Sequence, residues 1–485
     1  MPNPIASLML MAWPLICVIL FQRLSLERAV LWSLVAGYLF LPPIAELDLP
    51  LVPDLNKSSI PSLVVLFICA AILKKPISFW PTTPIARGLV LLFVLSVIPT
   101  VLTNRETLVF QNVLNAEPTV FVTNVLPGLR LIDLGSVISN QLIVLIPFFV
   151  ARRYLSSENG QKEITIIVLT SALIYSIPGL IEIRLSPQVN TWVYGFFQHD
   201  FSQTIRQGGY RPLVFLEHPL WYALFVIYAI VSAAVLLRNA PQKDRGRYGY
   251  ALLYLLIFLY LCKSLATQLY ALAFVPLLLW ASLKNQLKLC LVLGIVAIVY
   301  PTLRNFDVIP TDAIFAQVES HSAERAQSLG YRFKNEELML ERAAEKPLFG
   351  WGGWGRNLVR DLETAEIISI PDGRWIIVFG TFGWLGYIAE MGLLTFPLFY
   401  FWRQVRQRKP EEISPYIGAL LLILTVTLVD MLLNATLIPL TWLCAGAILG
   451  YAERLKNPDI FAEKRKLFEG KTVIGTEDED RRSLM

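Results

Sequence analysis

Arginines, acids and histidines gather in a few loops of this chain, and their types suit the handling of an oxyanion. The stretch QHDFSQTIRQGGYRPLVFLEHPLW offers His199, Asp200, Arg206, Arg211, Glu217 and His218. Gly208 and Gly209 within it permit a close backbone approach. A second stretch, HSAERAQSLGYRFKNEELMLERAAEKPLFGWGGWGRN, adds His321, Glu324, Arg325, Arg332, Arg342 and Arg356. Between them Lys263 stands in LCKSLATQLY at the edge of an apolar region, where a cation is costly unless it reaches water or an anion. Guanidinium groups pair bidentately with phosphate and never lose their charge, so the set fits a multiply charged oxyanion such as a diphosphate. There is no Walker loop, HExxH or GxSxG, so nucleotide hydrolysis, zinc proteolysis and serine hydrolysis lack support. No acid-rich motif offers to hold a metal, and no cofactor is expected. The five cysteines (Cys17, Cys69, Cys262, Cys290, Cys444) lie in or beside apolar blocks without CxxC spacing, which argues against both disulfides and zinc.

The elements that must position these residues are membrane spans. Of the 485 residues 55% are hydrophobic and 16% charged, whereas a soluble domain carries about a quarter charged residues. The apolar residues come in blocks near the length that crosses a hydrocarbon core, roughly 17–25 residues. Thirteen spans are predicted, near 5–21, 29–43, 60–73, 88–102, 134–150, 164–182, 219–237, 248–262, 265–283, 287–303, 376–401, 415–433 and 437–452. The first lacks a basic leader and a cleavage site, and reads as a retained span. Several are short or carry proline (Pro14, Pro42, Pro43, Pro178), which neighbouring helices can accommodate.

Alternate loops are basic: Arg23 and Arg28; Lys74, Lys75 and Arg87; Arg152, Arg153 and Lys162; Arg238, Lys243, Arg245 and Arg247; Lys284 and Lys288; Arg403, Arg406, Arg408 and Lys409. These are expected in the cytoplasm, with the C-terminus. The bases sit in short loops, so the net charge of +5 is no nucleic-acid signature. The opposite set of loops is longer: 44–59, 103–133, 183–218, the turn at Lys263, 304–375 and the turn near Asn434. The largest should contain helices of its own, and 332–346 has the pattern of an interfacial amphipathic helix. The expected architecture is an all-α transmembrane bundle over 1–455, followed by a charged, disordered cytoplasmic tail over 456–485.

Three stretches, in order, resemble the O-antigen ligase and polymerase superfamily of bacterial envelope glycan enzymes. In RPLVFLEHP, Arg211 stands eight positions before Pro219. Arg332 stands fifteen before Pro347, and PLFGWGGWG looks like the family's Pro-Leu-x-Gly-x-Gly block. DGRWIIVFGTFGWLGYIAEMGLL resembles the segment in which a His-Asn or Asp pair leads into a span, while Cys262-Lys263 replaces the usual Ser-Arg pair. The likeness covers roughly 200–400 and is diffuse elsewhere. It implies a C-type glycosyltransferase in the bacterial inner membrane, acting on glycan carried by undecaprenyl diphosphate alongside other polysaccharide-assembly proteins. Arg211 and Arg332 would grip the diphosphate, with Lys263 and Arg206 in support. Gly350, Gly352, Trp351 and Trp354 would meet the glycan. Family ligases carry a histidine as base where this chain has Asp372, eleven residues before Gly383. An acid there looks more like the polymerase branch, with Asp372, His218 and Glu217 as the candidate bases.

Plainer readings compete. Arg211 and Arg332 also suit interfacial anchors for lipid phosphate, and the Gly-Trp block suits a turn in an aromatic belt. Glu390 and Asp430 lie in apolar blocks and demand partners. The alternatives to a polymerase are a ligase, a transporter or flippase, and a membrane scaffold. A transporter would place its ionisable residues within spans near the midplane, which the loop location of these residues disfavours.

Overall fold

Apolar runs opened by proline or by a small polar cap become helices here, because those residues satisfy or remove the first unbonded N–H groups. Asn3 caps the first helix by accepting from Ala6 N–H, and Ser157 and Thr83 cap later ones in the same way. The computed structural model describes residues 2–48, 53–75, 77–114, 120–306, 308–361 and 366–461. The first half holds α1 (Pro4–Arg23), α2 (Leu26–Phe40), α3 (Ser59–Phe67, extended by a π-turn), α4 (Pro84–Leu95), α5 (Val97–Leu102), α6 (Leu131–Val144), α7 (Ile146–Tyr154), α8 (Glu158–Leu185) and α9 (Val189–Tyr194). The second half holds α10 (Pro219–Asn239), α11 (Gln242–Leu261), α12 (Leu265–Trp280), α13 (Leu283–Asn305), α14 (Thr311–Glu319), α15 (Ala323–Ala344), α16 (Arg374–Val405), α17 (Ile417–Asp430) and α18 (Pro439–Lys456).

Each of the thirteen expected spans falls on one helix or on two consecutive helices. Among the described residues seven are long and apolar enough to cross a membrane: α1, α4 with α5, α6 with α7, α8, α10, α13 and α16. Three shorter apolar helices lie at Ser59–Ile72, α12 and α17. Pro14 and Pro178 are carried inside α1 and α8, while Pro42 and Pro43 follow the end of α2. The centre is α10, which packs against α8, α11, α12 and α17 and is buried on every face from Tyr222 to Leu236. An apolar helix with no polar stripe belongs in such a position.

Side-chain bonds gather the alternate loops into two groups at opposite ends of the helices. At the basic end Arg28 pairs with Glu163 at 2.8 Å and Arg152 with Glu453 at 2.7 Å, while Arg454 donates to Ser156 Oγ. Arg152, Arg153 and Arg454 also cover the ring of Phe461, which closes a short 3₁₀ turn at 458–461. Of the expected tail, 462–485 lies outside the described residues. At the long-loop end Asn3 donates to Val193 O, Lys57 to Phe215 O, Lys263 to Arg206 O and Asn104 to Gly350 O.

The all-α expectation omitted three antiparallel ribbons in the long loops. Two are short, β1–β2 (Glu46–Leu47 with Leu55–Asn56) and β5–β6 (Ile205–Arg206 with Gly209–Tyr210). The third pairs β3 (Leu108–Leu114) with β4 (Val120–Leu126) over seven residues each. Its β-branched and aromatic residues flank the sequence NAEPT, a hairpin signal overlooked beside the stronger span signal. The segment expected as an amphipathic helix lies in α15, whose Met339 and Ala343 are buried and whose neighbours are α14 and α16.

Candidate functional site

Arg211 opens a buried, irregular segment that turns at Val214 (φ 56°) and belongs to no helix or sheet. Backbone amides buried there must find partners. The Glu182 carboxylate accepts from Leu213, Val214 and Val189 N–H at 2.8, 2.8 and 3.0 Å. Tyr175 Oη accepts from Phe215 N–H, Gln198 donates to Val214 O and Leu216 O, and Lys57 Nζ donates to Phe215 O. Burial lowers the Lys57 amine to about 8. Upstream, a tight ribbon turns on Gln207 and Gly208, both with positive φ as a two-residue reversal requires. Arg211 N–H then bonds Thr204 O at 2.8 Å. Lys263 holds this ribbon from outside, donating to Arg206 O and Gln207 O at 3.0 and 3.3 Å.

The result is a guanidinium with an unmet demand. Arg211 is 3% exposed, and its Nε and Nη2 are buried with no hydrogen-bond partner among the described residues. Burial, with repulsion from Arg206 and Arg332, lowers it to about 10. Its charge and those of Arg206 and Arg332 also bear on His218, whose ring packs edge-on against His199 at 4.6 Å between centroids. His218 Nδ1 accepts Leu220 N–H at 3.0 Å, capping α10. Burial, then His199 and the three arginines, push that imidazole down to about 3. His199 is also lowered, chiefly by burial. Glu217 faces elsewhere: its charge acts on Lys57 and Tyr38.

Arg332 lies on α15 with its Nε 3.8 Å from Asp372 Oδ2. Both line a narrow cleft with Glu336, Gly373, Leu432 and Leu433. Glu336 is occupied by Arg304 at 2.8 Å and by the Tyr300 hydroxyl. Asn335 Oδ1 accepts Ile370 N–H, which ties the strand of chain before Asp372 to α15. Arg374 N–H bonds Met431 O, and the Arg374 guanidinium forks onto Glu390 at 2.7 and 2.6 Å. Glu390 therefore has the partner its apolar setting demanded. Asp430 accepts from Thr436 and Asn434, lies beside the Tyr270 hydroxyl and is within electrostatic reach of Arg332. Burial raises the Asp372 carboxyl above the usual range, and Arg332 only partly offsets this.

The Gly-Trp block does different work. The helix α16 breaks at Gly383 (φ 63°, ψ −161°), freeing backbone groups on either side. The 347–352 loop takes them up: Trp351 N–H bonds Gly380 O, Gly352 N–H bonds Thr381 O and Trp384 N–H bonds Pro347 O. A Cβ on Gly350 would sit 2.4 Å from Thr381 backbone, and one on Gly383 would sit 2.3 Å from Leu348 backbone. Trp351 is buried beneath Arg342, whose Cζ stands 3.4 Å from the ring centroid, and donates to Arg342 O. Trp354 is 58% exposed and, with Gly352, Val101, Leu129, Val137 and Phe382, lines a second, largely apolar cavity. No hydrogen bond or ion pair among the described residues joins this block to Arg211, Arg332 or His218.

Of the residues singled out from sequence, Arg206, Arg211, Arg332 and His218 share one electrostatic neighbourhood, and Asp372 adjoins it through Arg332 alone. Lys263 supports it from the ribbon. Glu217 and the Gly-Trp block lie in other surroundings. Sequence reasoning missed Glu182, Gln198, Lys57, Asn335 and Arg374, which position the chain. A signal existed for Glu182, an acid at the end of a long apolar block. His321 bonds only locally, to Gln317 O and Ser320 Oγ. Among the described residues no three His, Cys, Asp or Glu side chains cluster as metal ligands would.

Fold and site together define an α-helical bundle, apolar enough to cross a membrane, with a cationic site built in the long loops at one end. No protein-family model matches the chain, and no curated protein matches it.

Proposed function

We propose that the chain is a bacterial inner-membrane glycosyltransferase of thirteen spans that polymerises glycan repeat units carried on a lipid diphosphate. The basic loops lie in the cytoplasm and the arginine site faces the other side. The resemblance of the three motifs gives the reaction class. The observation that carries the reading is the buried Arg211 guanidinium, with two unpartnered nitrogens and two further arginines within electrostatic reach. Like charges desolvated together are unfavourable alone and become favourable when a polyanion completes the set.

In the reaction an acceptor hydroxyl oxygen bonds to the anomeric carbon as the bond from that carbon to the diphosphate oxygen breaks, inverting the centre. The hydroxyl proton passes to Asp372, and the lipid diphosphate leaves with its charge held by Arg211 and Arg332. The raised Asp372 carboxyl supports its role as base, because a carboxylate of ordinary acidity accepts a proton weakly. An acid in this place favours polymerisation over ligation.

The test uses the full-length protein in sealed vesicles with a labelled prenyl-diphosphate oligosaccharide, and reads chain length on a gel. Arg211→Ala and Arg332→Ala should leave single repeat units. Full-length polymer from Arg332→Ala at normal expression refutes the proposal. Transfer of one unit to a separate acceptor points to ligation, and label crossing the vesicle without bond formation points to transport.

A further inference from the structure

We propose that His218 serves the site as a fixed hydrogen-bond donor to the leaving diphosphate, and not as a base. This rests on the diphosphate reading above and assigns a further binding role within the same site. A neutral imidazole carries a single hydrogen, and its partners decide which nitrogen holds it. Nδ1 accepts the Leu220 N–H at 3.0 Å, so the hydrogen resides on Nε2. Nε2 makes no hydrogen bond among the described residues, and the ring is only half-buried.

Action as a base needs a lone pair on Nε2. Moving the hydrogen to Nδ1 would set two N–H groups face to face and uncap α10. Protonating the ring would do the same while adding a cation beside Arg206, Arg211 and Arg332. The charged and titratable groups bearing on the ring are those three arginines and His199, and none of them is an anion that would stabilise imidazolium. Geometry and surroundings therefore agree on a neutral ring.

The cap also accounts for the first amides of α10. Pro219 has no N–H, Leu220 N–H is spent on Nδ1 and Trp221 N–H on His218 O at 3.0 Å. The positive helix end consequently has few free amides for an anion. The ring passes that polarity outward: accepting at Nδ1 strengthens donation at Nε2. Within electrostatic reach of Arg211, two of whose nitrogens are unpartnered, it supplies a neutral donor where a fourth cation would be unfavourable.

The chain has only three histidines, His199, His218 and His321, so nitrogen-15 labelling of histidine gives a readable spectrum of the intact protein in nanodiscs. The His218 signals, assigned by their loss in His218→Asn, should show the Nε2–H tautomer without titration between about pH 5 and 8. A short-chain prenyl diphosphate should shift Nε2 in the wild type and not in Arg211→Ala. In His218→Asn the side-chain oxygen can still cap α10. Its transfer rate should fall about 10- to 100-fold, as for one lost donor to a charged group, with the acid limb of the pH profile unmoved. A hydrogen on Nδ1, titration near neutrality, or disappearance of the acid limb in His218→Asn overturns the donor role while leaving diphosphate binding intact. If the prenyl diphosphate neither binds saturably nor shifts any signal, the diphosphate reading falls and this inference with it.

Discussion

Arg211→Met should make the protein more stable while removing its activity. The native guanidinium is 3% exposed, two of its nitrogens are unpartnered, and burial with neighbouring positive charge holds it near 10. At about 1.4 kcal/mol per tenfold change, that displacement from the ordinary arginine value amounts to about 3 kcal/mol against the charged folded state. The sign follows from linkage. Below about pH 10 the side chain is protonated folded and unfolded alike, so the full cost is present at neutral pH; it fades only as strongly alkaline pH removes the charge. Methionine matches much of the arginine stem and carries no charge, so most of this cost disappears. Some water in the site reduces the gain to roughly 1–3 kcal/mol. The assay is thermal unfolding of purified wild-type and Arg211→Met protein in one detergent, followed by tryptophan fluorescence. A higher midpoint with no polymer product is the expected pair of results, as for residues kept for function at the expense of stability. A substantially lower midpoint would show that Arg211 is a structural cation with partners in the free protein, and would refute the reasoning.

Other consequences are open to measurement. Asp372→Asn should abolish transfer, and the wild-type rate should decline as pH falls through a carboxyl value above the ordinary range, since burial raises it; a flat rate into the range of a free carboxylate would remove Asp372 as the base. Because its folded value is raised, ionised Asp372 weighs against the fold as pH rises, so Asp372→Asn should be no less stable than wild type near neutrality. Gly383→Ala meets both a positive φ and Leu348 backbone 2.3 Å from the new Cβ, and should cost about 2–4 kcal/mol, seen as reduced yield and a lower unfolding midpoint. Glu453→Gln should cost about 3–5 kcal/mol by leaving Arg152 buried and unpaired, whereas a paired apolar replacement of both residues should recover most of it. A midpoint unchanged in the single variant would contradict that assignment.

Helices were the legible part of the sequence, because a bilayer-length apolar run leaves few alternatives for the backbone. All thirteen predicted segments fall on helices, including those interrupted at Ser96 and Leu145. The ribbons were less legible: four of the strands have only two residues, and the pattern of the longer β3 and β4 is weaker than that of the neighbouring spans. Arginine spacing drew attention to Arg211 and Arg332, since charge beside an apolar block must have a reason. Spacing could not reveal that Glu182 spends one carboxylate oxygen on the Leu213 and Val214 amides that follow Arg211 and the other on Val189 N–H. That depends on two distant stretches meeting, as does the use of Gly350 and Trp351 to occupy the break in α16. The motif was visible, but its backbone bonding was not.

The mounting of the two principal arginines is unequal. Arg211 and His218 lead directly into α10, enclosed by helices on all sides. Arg332 rides on α15, a charged helix outside the apolar bundle whose neighbours are chiefly α14 and α16. On the proposed function, a ligand between them would meet an anvil on one side and a jaw on the other. The jaw is tied to the chain leading into Asp372 by the bond that Asn335 Oδ1 accepts from Ile370 N–H.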